Sequence, residues 1–156
     1  MMQMIVTALV FYLLVHALCL WRPNAGRLFL GFFYLLMALG VNGTLCLVGP
    51  EWFVELGRNS AIPFYQSFFT DVVAKAPLLF GIMALVYEAT VGLLLLSRGK
   101  WVKVGAVMAM IHLIGILPLD AWSLPNAVMA VTFQYLLSKE YPLSLIDQFR
   151  LRFAHR

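Results

Sequence analysis

Five apolar runs recur along the chain, at 4–21, 28–48, 78–96, 104–117 and 124–137, and the segments between them hold most of the charges and prolines. A helix that crosses a hydrocarbon core needs about 20 mostly apolar residues. Each run is therefore expected to be a membrane-spanning helix. The fourth is stopped by Pro118, and the fifth carries Pro125 in its first turn, where proline is tolerated. That fifth run has about 14 residues, or ~21 Å at 1.5 Å per residue, and is the shortest of the set. Merging 104–137 into one helix would give a rod of ~50 Å with two prolines and Asp120 inside it, a poor fit to a ~30 Å core. The run at 4–21 follows Met-Met-Gln, without Lys or Arg, and is expected to be retained and not cleaved as a signal peptide.

Two further segments carry helical periodicity without enough length to span. The stretch 49–77 contains Trp52, Phe53, Phe64, Tyr65, Phe68 and Phe69. Its i, i+4 pairs Phe64/Phe68 and Tyr65/Phe69 predict a helix that caps the bundle at the membrane interface. In the tail, Ser144-Leu-Ile-Asp147 is a capping-box-like start. Leu145, Ile146, Phe149 and Phe153 then share a face beside Arg150 and Arg152, which predicts a basic amphipathic helix on the inner membrane surface. A solvated helix is the alternative, because helical periodicity alone does not separate the two.

Composition sharpens the class. Of 156 residues, 63% are hydrophobic and 12% charged, and the mean hydropathy is +0.90. Ordinary soluble domains carry about 25% charged residues. These values exclude a soluble enzyme, a nucleic-acid-binding module and a disordered chain, and point to an all-α, polytopic membrane helix bundle. One transmembrane bundle is expected over 1–139, with a cytoplasmic basic tail over 140–156. The net charge of +4 is taken as an orientation signal, with the lipid bilayer as partner and no nucleic acid.

Basic and non-basic connections alternate. Arg22 and Arg27 lie in the first and Arg98, Lys100 and Lys103 in the third. The second, with Glu51, Glu55 and Asp71 against Arg58 and Lys75, sums to −1, and the fourth holds only Asp120. The tail carries Lys139, Arg150, Arg152 and Arg156 against Glu140 and Asp147. The positive-inside rule then puts the N-terminus outside and the C-terminus in the cytoplasm.

Titratable groups inside a bilayer are costly and mark functional candidates. His16, Glu88, His112 and Asp120 are such groups. Glu88 and His112 fall on consecutive antiparallel runs, about 15 Å and 8–10 Å from the outer ends, so a contact between them is expected. It would serve as a proton-handling pair, as an anchor for a polar head group, or as a packing hydrogen bond between helices. Asn42, Thr44, Asp120 and Asn126 sit toward the outer ends of their runs and could line a polar pocket with His112. The candidate ligand-binding residues are thus Glu88, His112, Asn42, Asp120 and Asn126. No catalytic residue is assigned. His16 lies toward the cytoplasmic end, at least ~7 Å from the depth of His112 along the normal, so a bis-histidine haem is disfavoured. Cys19 and Cys46 lie in apolar runs without a metal-ligand spacing. Neither a metal nor another cofactor is called for by a motif, and a quinone is kept as an alternative.

From about Arg27 to Leu137 the chain resembles the DoxX-like family of small bacterial membrane proteins. The resemblance rests on Arg27-Leu-Phe-Leu-Gly31, on Gly40-Val-Asn-Gly43, on Tyr87-Glu88-Ala-Thr-Val-Gly92 with its Leu-rich continuation to Arg98, and on Lys100-Trp101-Val-Lys103-Val-Gly105. It implies a four-helix bundle core, here with one helix added in front, in the bacterial inner membrane. It also implies association, in some members, with quinone-linked or thiol-linked redox complexes. Only Glu88 is carried over as a motif position, and the resemblance assigns it no role. The expected function is an accessory or scaffold subunit of a membrane complex, partnered by other subunits or by copies of itself. A quinone-binding redox subunit using Glu88 and His112, or a small-molecule or proton transporter, are the alternatives.

Overall fold

The computed structural model describes residues 2–154, with the side chains of Trp122 and Arg152 outside the description. Tail residues His155 and Arg156 also lie outside the described residues. The secondary structure among the described residues is entirely helical. Helix α1 covers Met2–Trp21 and α2 covers Pro23–Leu36. A π-helical turn, Met37–Asn42, carries α2 into α3, Gly43–Val48, so 23–48 runs as one 26-residue rod. Two short helices come next, α4 (Trp52–Arg58) and α5 (Pro63–Ser67). A second π turn and a 3-10 turn then lead to α6, Pro77–Leu96. Helix α7 spans Lys100–Ile116, α8 Asn126–Leu137 and α9 Leu145–Ala154.

Among the described residues three rods are long and apolar enough to cross a membrane: α1, the 23–48 rod and α6. Helix α7 has 17 residues and α8 has 12, so α8 is about 18 Å long. Proline opens α2, α5 and α6, where its missing N–H costs nothing. At the α6–α7 turn, Gly99 has φ +59 and ψ −134, a region that residues with a Cβ rarely adopt.

The helices form a closed ring. Helix α1 packs on α2, α2 on α6, α6 on α7, α7 on α8, and α8 back on α1. Leu30, Tyr34, Val91, Leu95, Ala106, Ala109, Phe133 and Leu136 fill its centre. Where α2 crosses α6, backbone nearly touches backbone. A methyl group on Gly92 would lie 2.8 Å from the Gly31 carbonyl oxygen. Small residues at such crossings let membrane helices gain dispersion contacts that lipid would otherwise supply. One end of the ring is closed by α4, α5 and the turn after it, around Phe53, Val54 and Val73 with Phe68, Phe69 and Phe80 against them. This is the cap end. The opposite end, where α9 leaves, is the tail end.

The segment 22–27, expected as a short breaker loop with two positive charges, is otherwise built. Only Arg22 separates α1 from α2. Arg27 is in the helix and fully buried, at 0% exposure. Its guanidinium donates to Asn24 Oδ1 at 2.9 Å, to the Leu95 and Ser97 carbonyls at 2.7 and 2.6 Å, and to the Leu143 carbonyl. It also stacks over the Tyr141 ring, 4.9 Å from the centroid. Leu95 and Ser97 lie at the C-terminus of α6, where carbonyls lack helical donors and the helix dipole favours a cation.

The capping box forms. The Asp147 carboxylate accepts from the Ser144 N–H and hydroxyl at 3.0 and 2.8 Å, and the Ser144 hydroxyl accepts from the Asp147 N–H at 3.1 Å. Hydrogen bonds from Ser144, with Arg98 and Arg150 nearby, hold the Asp147 carboxyl below its usual value. Asn24 to Gln148 at 2.9 Å and Arg98 to Asp147 at 3.5 Å tie α9 to the tail end. Ile146, Phe149 and Phe153 on its other side are exposed.

Candidate functional site

The π turn of 37–42 decides where Asn42 points. Such a turn adds a residue to the helix and rotates the residues beyond it, and π turns recur at functional sites. Here it directs the Asn42 amide at α6, where Nδ2 donates to Glu88 Oε2 at 2.7 Å. Glu88 is 7% exposed. Its other oxygen, Oε1, lies 3.9 Å from His112 Nε2 on α7. That is ion-pair reach but beyond hydrogen-bond length. The expected Glu88–His112 approach is present, and the hydrogen bond itself goes to Asn42.

The His112 ring sits between two tyrosines. Its centroid is 5.7 Å from Tyr87 and 6.2 Å from Tyr34, both edge-to-face, an arrangement that suits the aromatic quadrupole. Tyr87 is fixed by donating to the Met108 carbonyl at 2.9 Å. His112 Nδ1 and the Tyr34 hydroxyl are buried without a hydrogen-bond partner among the described residues. An unpartnered buried polar atom costs about 1–3 kcal/mol. Both atoms belong to side chains that line the smaller of two cavities at this site.

A cavity of about 410 Å³ runs from Glu88 and His112 toward the cap end, with Asn42, Asn126 and Tyr12 in its walls and Phe53, Phe68 and Phe69 over it. A smaller one of about 90 Å³ continues toward the tail end, past Tyr34, Met129 and Phe133. Glu88, His112, Tyr12 and Asn126 line both. The larger volume falls in the range of sites for small organic ligands, and a mostly apolar lining with a few convergent polar groups is their usual chemistry.

Four of the five residues expected from sequence, Glu88, His112, Asn42 and Asn126, therefore meet around one space. Asn126 Oδ1 accepts from the Tyr12 hydroxyl at 3.0 Å and so ties α8 to α1. Asp120 stands apart. Its Oδ1 accepts from the Ser123 N–H and hydroxyl, both at 2.9 Å, and caps the 3-10 turn Ala121–Ser123. It borders an open groove at the cap end and not the cavity. Thr44 turns its hydroxyl back to the Gly40 carbonyl at 2.6 Å. His16 Nδ1 is 2.8 Å from the Thr132 hydroxyl and does not line the cavity. Tyr34 and Tyr12 carry no signal in the sequence, because a tyrosine in an apolar run reads as packing. No group of three His, Cys, Asp or Glu that could hold a metal ion occurs among the described residues. Comparison of the chain with family models, curated proteins and solved structures finds no match to any of them.

Proposed function

We propose that the chain is a five-crossing membrane protein that holds the polar head of a small amphipathic molecule between its helices. In this reading α2–α3, α6, α7 and α8 are a DoxX-like four-helix core and α1 is the helix added in front. The observation that carries it is the Glu88–His112 pair standing open beside a cavity of about 410 Å³, with the Tyr34 hydroxyl and His112 Nδ1, which have no hydrogen-bond partner among the described residues, on side chains that line the smaller cavity beside the same pair. A pair serving only to glue helices would close on itself, since buried polar groups otherwise lose their solvation uncompensated. Asn42 and His112 supply donors and Glu88 an acceptor or, when protonated, a donor. A head group with two oxygens fits that set, and a quinone is the ligand class of this shape and polarity. The bacterial inner membrane, with the tail end cytoplasmic, is the location this reading takes.

A second reading, an accessory subunit without a ligand, is favoured by the exposed apolar face of α9, formed by Ile146, Phe149 and Phe153. Purification in a mild detergent followed by mass spectrometry of extracted small molecules, with titration of a decyl-tailed benzoquinone, separates the two. The wild type is expected to bind the quinone. Glu88→Gln and His112→Ala are expected to weaken binding by on the order of tenfold or more, about 1.4 kcal/mol, while inserting and melting as the wild type does. Equal binding by all three proteins, or none by the wild type, would contradict the ligand reading.

A further inference from the structure

We infer that the molecule held at Glu88 and His112 enters sideways from the lipid, between the cap-end halves of α1 and α2, and is therefore a membrane-dissolved amphiphile and not a water-soluble solute. This rests on the ligand reading above and adds its route and class.

The walls of the cavity are unequal. Toward the aqueous phase the cavity is roofed by the aromatic cap, where Phe53, Phe68 and Phe69 come from elements packed on one another. Toward the tail end it narrows into the smaller pocket and then into the close-packed core around Leu30, Leu95 and Phe133. On the remaining side the wall is α1, and α1 is anchored unevenly. Its buried residues are Val15 and Cys19, both in the tail-end half. There His16 meets Thr132, and a methyl group on Gly26 of α2 would lie 2.8 Å from the Cys19 Cα. Above Phe11, whose ring packs on Phe29 and Phe33 of α2, no residue of α1 is buried among those described.

Among the described residues one side-chain hydrogen bond, Tyr12 to Asn126, ties the cap-end half of α1 to another helix, and α1 also packs on the 3-10 turn before α8. On the α2 side of α1 lies a lipid-facing groove of about 750 Å³, with Thr7 and Phe11 on α1 and Phe33 on α2. Ala8 and Tyr12 line this groove and the inner cavity alike. One helix thickness, carrying an alanine and one breakable hydrogen bond, separates lipid from site. An apolar tail lying in the groove and a polar head at Glu88 would occupy both spaces at once. Movement of the α1 end over Tyr12 would admit the head without opening the aromatic cap.

The test uses the full chain in lipid nanodiscs and stopped-flow binding of two probes, the decyl-tailed benzoquinone and a water-soluble benzoquinone without a tail. Thr7→Trp fills the groove from the lipid side and does not border the inner cavity, whereas Ile62→Trp fills the open groove at the cap end and does not border the inner cavity either. Entry from lipid predicts that Thr7→Trp slows association of the tailed probe by roughly tenfold or more, that Ile62→Trp leaves that rate within about twofold, and that the tailless probe binds far more weakly to the wild type. Melting temperatures check that both variants are folded. If Ile62→Trp slows binding and Thr7→Trp does not, entry is from water and the inference fails while the site stands. If the wild type binds neither probe but Glu88→Gln and wild type melt alike, the site reading falls and the route falls with it.

Discussion

A fully buried arginine holds the tail end together, and its partners come from remote parts of the chain. Arg27 bonds the carbonyls of Leu95, Ser97 and Leu143, which lie 68, 70 and 116 positions away. Replacing it with methionine keeps the volume and strands those carbonyls. Hydrogen bonds to a charged group contribute about 1.5–3 kcal/mol each, so Arg27→Met is expected to lower stability by on the order of 3 kcal/mol or more, seen as an earlier melt in detergent. Arg27→Lys is expected to recover only part of this, because an ammonium does not reproduce a planar fork of donors. Nothing near Arg27 in the sequence shows this role. Arg-Pro-Asn-Ala-Gly-Arg has the composition of a turn, and the acceptors appear only when α6 and the tail fold against it. Glu88 is legible for the opposite reason. A carboxylate amid Val86, Tyr87, Ala89 and Thr90 is costly wherever it lies, so its own neighbours mark it. Its hydrogen-bond partner Asn42, 46 positions away, needs a π turn that the apolar pattern does not encode.

At the scale of elements, the spacing of apolar residues places the five helices of the ring and the tail helix. The ends are less visible, since Pro23 begins a helix where Arg22–Arg27 reads as a loop, and Lys100 begins α7 four residues before its apolar run. The crossing of α2 and α6 turns on Gly31 and Gly92. Gly92→Ala would push a methyl group onto backbone, which cannot swing away as a side chain does. Overpacking of this kind costs about 1–3 kcal/mol. Gly115→Ala is the control, because a methyl group there meets no atom within 4 Å. Thermal unfolding of the two variants in the same detergent is expected to show a clear loss for Gly92→Ala and none for Gly115→Ala. The aromatic spacing of 49–77 reads as a helix on the bundle. Its breakdown into α4, α5 and two irregular turns comes from Pro63, the 49–50 Gly-Pro pair and the need to fold several large aromatics over one opening.

For the whole molecule, the ring and the distribution of charge and tryptophan agree with a protein that stands across a bilayer. Trp21 and Trp101 are exposed toward the tail end and Trp52 toward the cap end, as aromatic belts at two interfaces would be. Arg22, Arg98, Lys100, Lys103 and Lys139 gather at the tail end, where Lys103 meets Glu140 at 2.6 Å. The short α8 is the element on which the proposed topology turns. If it crosses, α9 and the start of α1 lie on opposite sides, the cavity opens toward the outer leaflet, and the lateral route joins it there. The most direct measurement is a pair of reporters, one fused to each terminus and each active on one side of the membrane only. The account predicts a cytoplasmic signal from the C-terminal fusion and an external signal from the N-terminal one. Two cytoplasmic signals would contradict it, because an even number of crossings would take one helix of the ring out of the bilayer and leave the cavity without a wall.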